Sequence, residues 1–204
     1  MWGTTEIGVK HSLQLLAGMI GFFAYVPLAF FILKNRAVQS FAAFFLWALL
    51  DSIATAATIL HDGNYWLPLS NVIGSATIAV ILISKKQVSW SWIETMTTFL
   101  VFVCLATWYT AGEKAGIIAS SLAVVFATVP QMVETYKKPG NTPLKVYYIF
   151  LTANIISFAG GLSWTIGERF YAGCSIFLCL MIIVPAKGLF RKKPTADRIM
   201  PPHS

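Results

Sequence analysis

The sequence predicts an all-α integral membrane fold: seven transmembrane helices laid out as two parallel three-helix repeats joined by a linker helix, a 3+1+3 arrangement. Three observations predict it. The 204-residue chain is 57% hydrophobic and 11% charged with a mean hydropathy of +0.70, whereas about 25% of residues are charged in an average soluble domain. Seven stretches approach the roughly 20 apolar residues that a helix needs to cross hydrocarbon. The chain also repeats itself, because Phe23-Ala24-Tyr25-Val26-Pro27 returns as Phe126-Ala127-Thr128-Val129-Pro130.

The first stretch runs from about 11 to 33. It has the length of a full span and lacks a short basic lead with an A-x-A cleavage site, so it reads as a retained helix rather than a signal peptide. The second and third stretches, about 41 to 60 and 66 to 84, complete a first repeat over 11–84. The fourth, about 95 to 111, is the linker helix. The last three, about 115 to 136, 144 to 166 and 170 to 190, form a second repeat over 115–190, and 191–204 form a cytoplasmic tail. The links are short, so residues 1–204 make one membrane domain.

Pro130 follows Pro27 by 103 residues, and the same offset pairs Lys34 with Lys137, Asp51 with Asn154, Ile53 with Ile156 and Ala56 with Ala159. Apolar matches come easily in such a chain, so the Pro and Lys matches carry most weight. Three helices reverse the chain direction, and a copy appended directly would be inverted. The unpaired fourth crossing restores the orientation, which relates the halves by an axis along the membrane normal with a route between them.

Lysine and arginine set the orientation. Twelve of them (Lys34, Arg36, Lys85, Lys86, Lys137, Lys138, Lys145, Lys187, Arg191, Lys192, Lys193 and Arg198) fall on one side, and Lys10, Lys114 and Arg169 on the other. The N-terminus is expected outside a cell membrane and the C-terminus in the cytoplasm. The net charge of +7 is spread over loops and tail rather than gathered in a groove, so no nucleic-acid partner is expected. The run Arg191-Lys192-Lys193 reads as a topology anchor near anionic headgroups. Cys104, Cys174 and Cys179 fall within spans and imply no disulfide framework.

Each repeat carries its proline in the cytoplasmic half of its first helix. Proline removes a helical hydrogen bond and bends the axis, so Pro27 and Pro130 are hinge candidates, although proline is also simply common in membrane helices. The stretch from Val129 to Leu144, with Pro130-Gln131, the basic loop Lys137-Lys138 and Thr142-Pro143, resembles the PQ-loop motif. With seven spans and an external N-terminus, the chain is similar to the SWEET and PQ-loop solute transporters. The first copy departs from the motif, reading Pro27-Leu28 without the glutamine and Ser40 where the second has Pro143. That places the chain nearer the diverse PQ-loop relatives than the plant or animal sugar carriers. The resemblance implies alternating access with Pro27, Pro130 and Gln131 at the hinge or gate.

A charged side chain at mid-bilayer costs roughly 2.5–3.5 kcal/mol on insertion scales, so it faces protein or water and usually has a task. Asp51, midway along the second span, is the clear acidic case, and its repeat partner is Asn154. The two are expected at similar depths flanking one cavity; a neutral Asp51 bonded between helices is the structural alternative. By resemblance, a pair of asparagines on the third and seventh helices lines a sugar site. Here Asn71 matches the first and Cys174 stands at the second, which argues against a symmetric sugar clamp because a thiol hydrogen-bonds weakly. Ser52 resembles a small pocket residue of the family, or simply bonds the preceding turn. Trp47 and its repeat partner Phe150 offer aromatic faces to a sugar ring or a cation, or pack between helices. Trp66, Trp90 and Trp92 read as interfacial anchors; Trp164, on the sixth span, is the one that leads toward the pocket.

An enzyme is not expected. His11 and His61 lie near the outer face and His203 in the tail, so they do not meet at one depth, and no GxSxG, CxxC or paired carboxylate compensates. No metal or cofactor is implied. A retinal protein needs a lysine mid-way along its last span, and Lys187 is at its end. Sorting receptors with this fold type use buried basic residues that this chain lacks at mid-depth. The expectation is a carrier of a small polar solute, neutral or zwitterionic, with a sugar favoured by family precedent. An amino-acid or amine carrier, with Asp51 pairing an ammonium or carrying a coupling proton, is the second reading. A non-transporting membrane receptor or assembly factor is the third. Expected partners are the solute, the lipid bilayer and, left open, further copies of the chain.

Overall fold

The computed structural model describes residues 2–37, 39–88 and 92–188. Among these, every regular element is helical: α1 (Trp2–Leu33), α2 (Phe41–Leu60), α3 (Trp66–Ser84), α4 (Trp92–Ala127), α5 (Val129–Lys137), α6 (Leu144–Ala159) and α7 (Ile166–Ala186), with a 3-10 turn at Pro139–Asn141. Five helical runs are long and apolar enough to cross a membrane, Glu6–Leu33, Phe41–Leu60, Trp66–Ser84, Thr98–Lys137 and Ile166–Ala186, and Leu144–Ala159 is a shorter apolar helix. The fold is that of an all-α, multi-pass type of chain. Trp90, Arg191, Lys192, Lys193, Arg198 and His203 lie outside the described residues.

The last span, expected at about 170 to 190, is Ile166–Ala186, and three further boundaries differ from the sequence reading for local reasons. Helix α1 starts at Trp2, well before the apolar run near 11. The Glu6–Lys10 pair, at 2.8 Å and one turn apart, supports this added stretch. The two stretches expected at 95–111 and 115–136 appear as one helical run interrupted at Gly112, whose φ of 81° and ψ of −176° leave the helical region. A Cβ placed on Gly116 would lie 2.9 Å from the Trp108 ring, although eight residues of straight helix would separate the two by about 12 Å. The chain therefore folds back at Gly112, where glycine tolerates the left-handed backbone. The sixth stretch ends at Ala159 rather than near 166. Gly160 and Gly161 follow, and the Arg169 guanidinium donates to the carbonyls of Phe158, of Gly161 (2.8 Å) and of Ser163 (3.0 Å). These bonds cap the helix end with a cation and hold the chain in a non-helical path.

Helix α1 packs on α3 and α6; α2 packs on α3 and α4; α7 packs on α4, α5 and α6. Small residues let the axes approach. A Cβ on Gly18 would come within 2.9 Å of the Trp66 carbonyl oxygen, and one on Gly21 within 3.0 Å of Ser70 Oγ, the close contact typical of membrane helices. The main buried cluster joins Leu28 and Ile32 of α1, Phe44 and Leu50 of α2, Ile78 and Leu82 of α3, Tyr147 of α6 and Ile182 of α7. Outward-facing positions carry large apolar side chains that stay exposed, among them Phe23, Val80, Phe102, Phe126 and Phe177. Such a surface suits acyl chains rather than water.

Candidate functional site

Helices α2 and α6 present matching faces to a cavity at the middle of the bundle. Phe44, Trp47 and Asp51 are spaced three and four residues apart, so they share one face of α2. Tyr147, Phe150 and Asn154 repeat that spacing on α6, and all six line the cavity. Each pair stands at the 103-residue offset. Helix α1 adds Tyr25, α3 adds Asn71 and Ser75, α4 adds Val124, and α7 adds Tyr171, Ser175, Leu178 and Cys179.

The polar groups form a chain with one direction. Tyr25 Oη, also 3.1 Å from Ser75 Oγ, donates to Asn71 Oδ1 at 3.3 Å; Asn71 Nδ2 donates to Tyr171 Oη at 2.9 Å; Tyr171 Oη donates to Asp51 Oδ1 at 2.7 Å. Hydrogen bonds aligned in this way polarise one another, and the terminal acceptor is the Asp51 carboxyl. No hydrogen bond to Asp51 Oδ2 is found among the described residues. Asn154 behaves differently, because its Nδ2 turns back to the Phe150 carbonyl (2.8 Å) and to Cys179 Sγ (3.5 Å). Its Oδ1 and the Trp47 indole Nε1 are buried without a partner among the described residues. A buried acceptor and a buried donor, each costing about 1–3 kcal/mol when unmet, thus sit on residues that line one cavity.

The scaffold places these groups by close packing. Tyr25 lies against the α3 backbone at Gly74, where a Cβ would stand 2.0 Å from its ring. Only glycine leaves room, which brings the phenol to Asn71 and Ser75 on either side. The aromatic wall is built from edge contacts, with Tyr25 and Phe150 centroids 4.7 Å apart and Phe44 and Trp47 4.8 Å apart.

Hydrogen bonds and close packing join the helices beyond the cavity on either side. At the end carrying residues 34–40, the Gln131 side chain accepts the backbone N–H of Ser40 at 2.8 Å, and Tyr147 donates to Gln39 at 2.6 Å. Gln131 is wholly buried, and its Nε2 donates to Thr135 Oγ1 at 3.3 Å. Ser40 in turn caps α2 by accepting from Ala43 N. At the opposite end, Gln14 bridges the Gly160 carbonyl and Glu168, and Glu168 also accepts from Leu162 N. Nearby, Asn64 donates to Ser157 through its side chain and to the Gly167 carbonyl through its backbone. A Cβ on Gly63 would lie 2.5 Å from the Gly167 oxygen. The cavity is about 40 Å³, space for about three waters.

The structure brings together four of the expected binding residues, Trp47, Asp51, Asn71 and Asn154. Three others stand elsewhere. Ser52 is exposed and bonds the Ala48 carbonyl at 2.7 Å, since one residue along a helix rotates the side chain by about 100° away from Asp51. Cys174 and Trp164 line a lateral groove with Phe170, Gly173 and Phe177. Trp164 is 82% exposed and lies over Arg169 at 4.2 Å. Ser175, one position after Cys174, takes the cavity-facing place. Pro27 lies within the unbroken α1, whereas Pro130 opens α5 just after a break at Thr128. The tyrosines 25, 147 and 171 and the buried Glu168 went unread as site residues; phenols inside apolar spans, and Gly74 beside the polar Asn71 and Ser75, were the available signals. Among the described residues no group of three or more His, Cys, Asp or Glu is placed to hold a metal ion. Compared with protein-family models, with curated proteins and with solved structures, the chain matches none.

Proposed function

We propose that this chain is a membrane transporter that moves a small polar solute by alternating access between two three-helix halves. The observation that carries the reading is the mid-bundle cavity lined by Asp51, Asn71 and Asn154, with an unmet acceptor on Asn154 and an unmet donor on Trp47. In this reading α1 to α3 form one half, α4 up to Gly112 is the linker helix, and the rest of α4 with α5, α6 and α7 forms the other. Three cavity-lining pairs at one offset support the repeat. A 40-residue run from Thr98 to Lys137, folded at Gly112, supports two crossings there, since two spans of hydrocarbon need about 40 residues.

In this reading, following the lysine and arginine bias, the Ser40–Gln131 contact is the cytoplasmic seal and the Gly63–Gly167 contact the outer one. Opening one seal at a time around Asp51 would expose the cavity alternately, with Pro27 and Pro130 as hinges. The PQ-loop resemblance of Val129 to Leu144 favours a sugar; the acidic cavity favours an amine. Purified protein in liposomes, offered labelled glucose, glycine and ethanolamine, should take up at least one faster than protein-free liposomes. Uptake of none, with well-folded protein, would favour a non-transporting receptor or assembly factor.

A further inference from the structure

One acidic side chain lines the cavity with no basic side chain beside it. The lining includes one carboxyl, Asp51, and no lysine, arginine or histidine. A carboxylate so deep in a bundle needs a cation or a proton to offset its desolvation. Among the described residues, neither oxygen of Asp51 meets a basic side chain within 4.0 Å; the ion pairs are Lys10–Glu6 and Lys138–Glu134. The hydrogen-bond chain that runs Tyr25, Asn71, Tyr171, Asp51 delivers its donors to Oδ1, which leaves Oδ2 as an open acceptor. Asn154 Oδ1 and Trp47 Nε1, on two residues that line the cavity, are a buried acceptor and a buried donor without a partner among the described residues. The wall also carries the rings of Tyr25, Phe44, Tyr147 and Phe150, and an aromatic face attracts a cation through its negative π surface.

From these features we infer that the transported solute is a small primary ammonium compound bearing a hydroxyl, an amino alcohol, rather than a neutral sugar or an amino acid. This rests on the transport reading above. The ammonium N–H groups meet Asp51 Oδ2 and Asn154 Oδ1, and the hydroxyl accepts from Trp47 Nε1. An amino-acid carboxylate finds no cation in the wall and stands beside Asp51, which repels it. A neutral sugar leaves the Asp51 charge uncompensated. The closed cavity of about 40 Å³ also disfavours a large solute, because every added atom demands a wider separation of the halves.

The test uses full-length protein, ethanolamine as probe, and glucose and glycine as controls. Thermal shift in detergent reads binding, and uptake into liposomes reads transport. Ethanolamine should raise the melting temperature and enter faster than either control. In Asp51→Asn its affinity should fall by about tenfold or more, the loss of a charged hydrogen bond. In Trp47→Phe the preference for ethanolamine over ethylamine, which lacks the hydroxyl, should disappear while ethylamine still binds. If Asp51→Asn fails to fold, the ethanolamine-over-glucose ratio of the unmodified protein and the Trp47→Phe comparison still decide. Glucose uptake that survives Asp51→Asn, with no ethanolamine response, would overturn the inference and leave transport standing. Glucose uptake driven by an imposed proton gradient and lost in Asp51→Asn would also overturn it, with a proton as the counter-charge. Ethanolamine binding without uptake would keep the ammonium site and overturn the transport reading instead.

Discussion

Helices α2 and α6 offer the same three positions to the cavity and use them in opposite ways. On α2 the third position is Asp51, which reaches across to Tyr171 of α7. On α6 it is Asn154, which bonds its own helix and leaves its oxygen free. The shape of the repeat is kept while its charge is confined to one side. Two carboxylates around a 40 Å³ cavity would repel each other where water cannot screen them, so an amide is the isosteric group that keeps the symmetry without the second charge. The Gln131 contact differs from its counterpart at the 103-residue offset as well. Gln131 accepts the N–H of Ser40; the repeat equivalents are Leu28 and Pro143, and proline has no N–H to donate, so leucine suffices there.

The sharpest break of this comparison is Asn154→Asp. A second, unpaired buried charge should destabilise the protein by about 3–5 kcal/mol, seen as a large fall in melting temperature or loss of monodisperse protein. A melting temperature equal to that of the unmodified protein would mean that the two sides do not share one enclosed cavity. Next in size, Tyr171→Phe removes a hydrogen bond to a carboxyl and should cost about 1.5–3 kcal/mol; the same change at Tyr147 or Tyr25 should cost less, because their partners are neutral. A denaturation series that ranks the three differently would count against Asp51 as the end of the chain.

Gln131→Leu copies the first repeat into the second and leaves the Ser40 N–H without its acceptor, so about 1–3 kcal/mol should be lost. The reciprocal Leu28→Gln buries an amide opposite a proline and should also destabilise. If both variants melt like the parent, the asymmetry of the seals is incidental. Gly74→Ala should cost about 1–3 kcal/mol by overpacking against Tyr25, and any solute binding should weaken with it. Smallest of all, Ser52→Ala should change stability by no more than about 0.5 kcal/mol, as expected of an exposed side chain, and should leave uptake unaltered.

Much of this was legible before the structure, and the misses have physical causes. The bounds of α2 and α3 follow the apolar runs, because each run is flanked by polar loops. Helix α6 was overestimated, since apolarity continues past Ala159 while the Gly160-Gly161 pair and the Arg169 cap end the helix. Asp51 was read from its depth in a span, Asn154 and Trp47 with the 103-residue offset, and Asn71 by resemblance, and all four line one cavity. Ser52 was excluded in principle by helical periodicity, which adjacency to Asp51 overrode. Cys174 came from a fixed offset, whereas α7 turns Tyr171, Ser175 and Leu178 inward. The tyrosines were overlooked because a phenol counts as apolar in a hydropathy profile while its hydroxyl still demands a partner.

The Gly63 contact with Gly167 sets how the proposed outer gate would work. A gate made of side chains leaks whenever a rotamer flips, on the nanosecond scale of exposed groups. Here backbone meets backbone, with no torsion available to open a gap locally. The valve would thus be stiff, opening only when whole helices part, and its rate would be that of a collective motion. A bulkier residue at either glycine would act as a permanent wedge, converting a gated carrier into one biased outward, and the inner seal would then be the only barrier left.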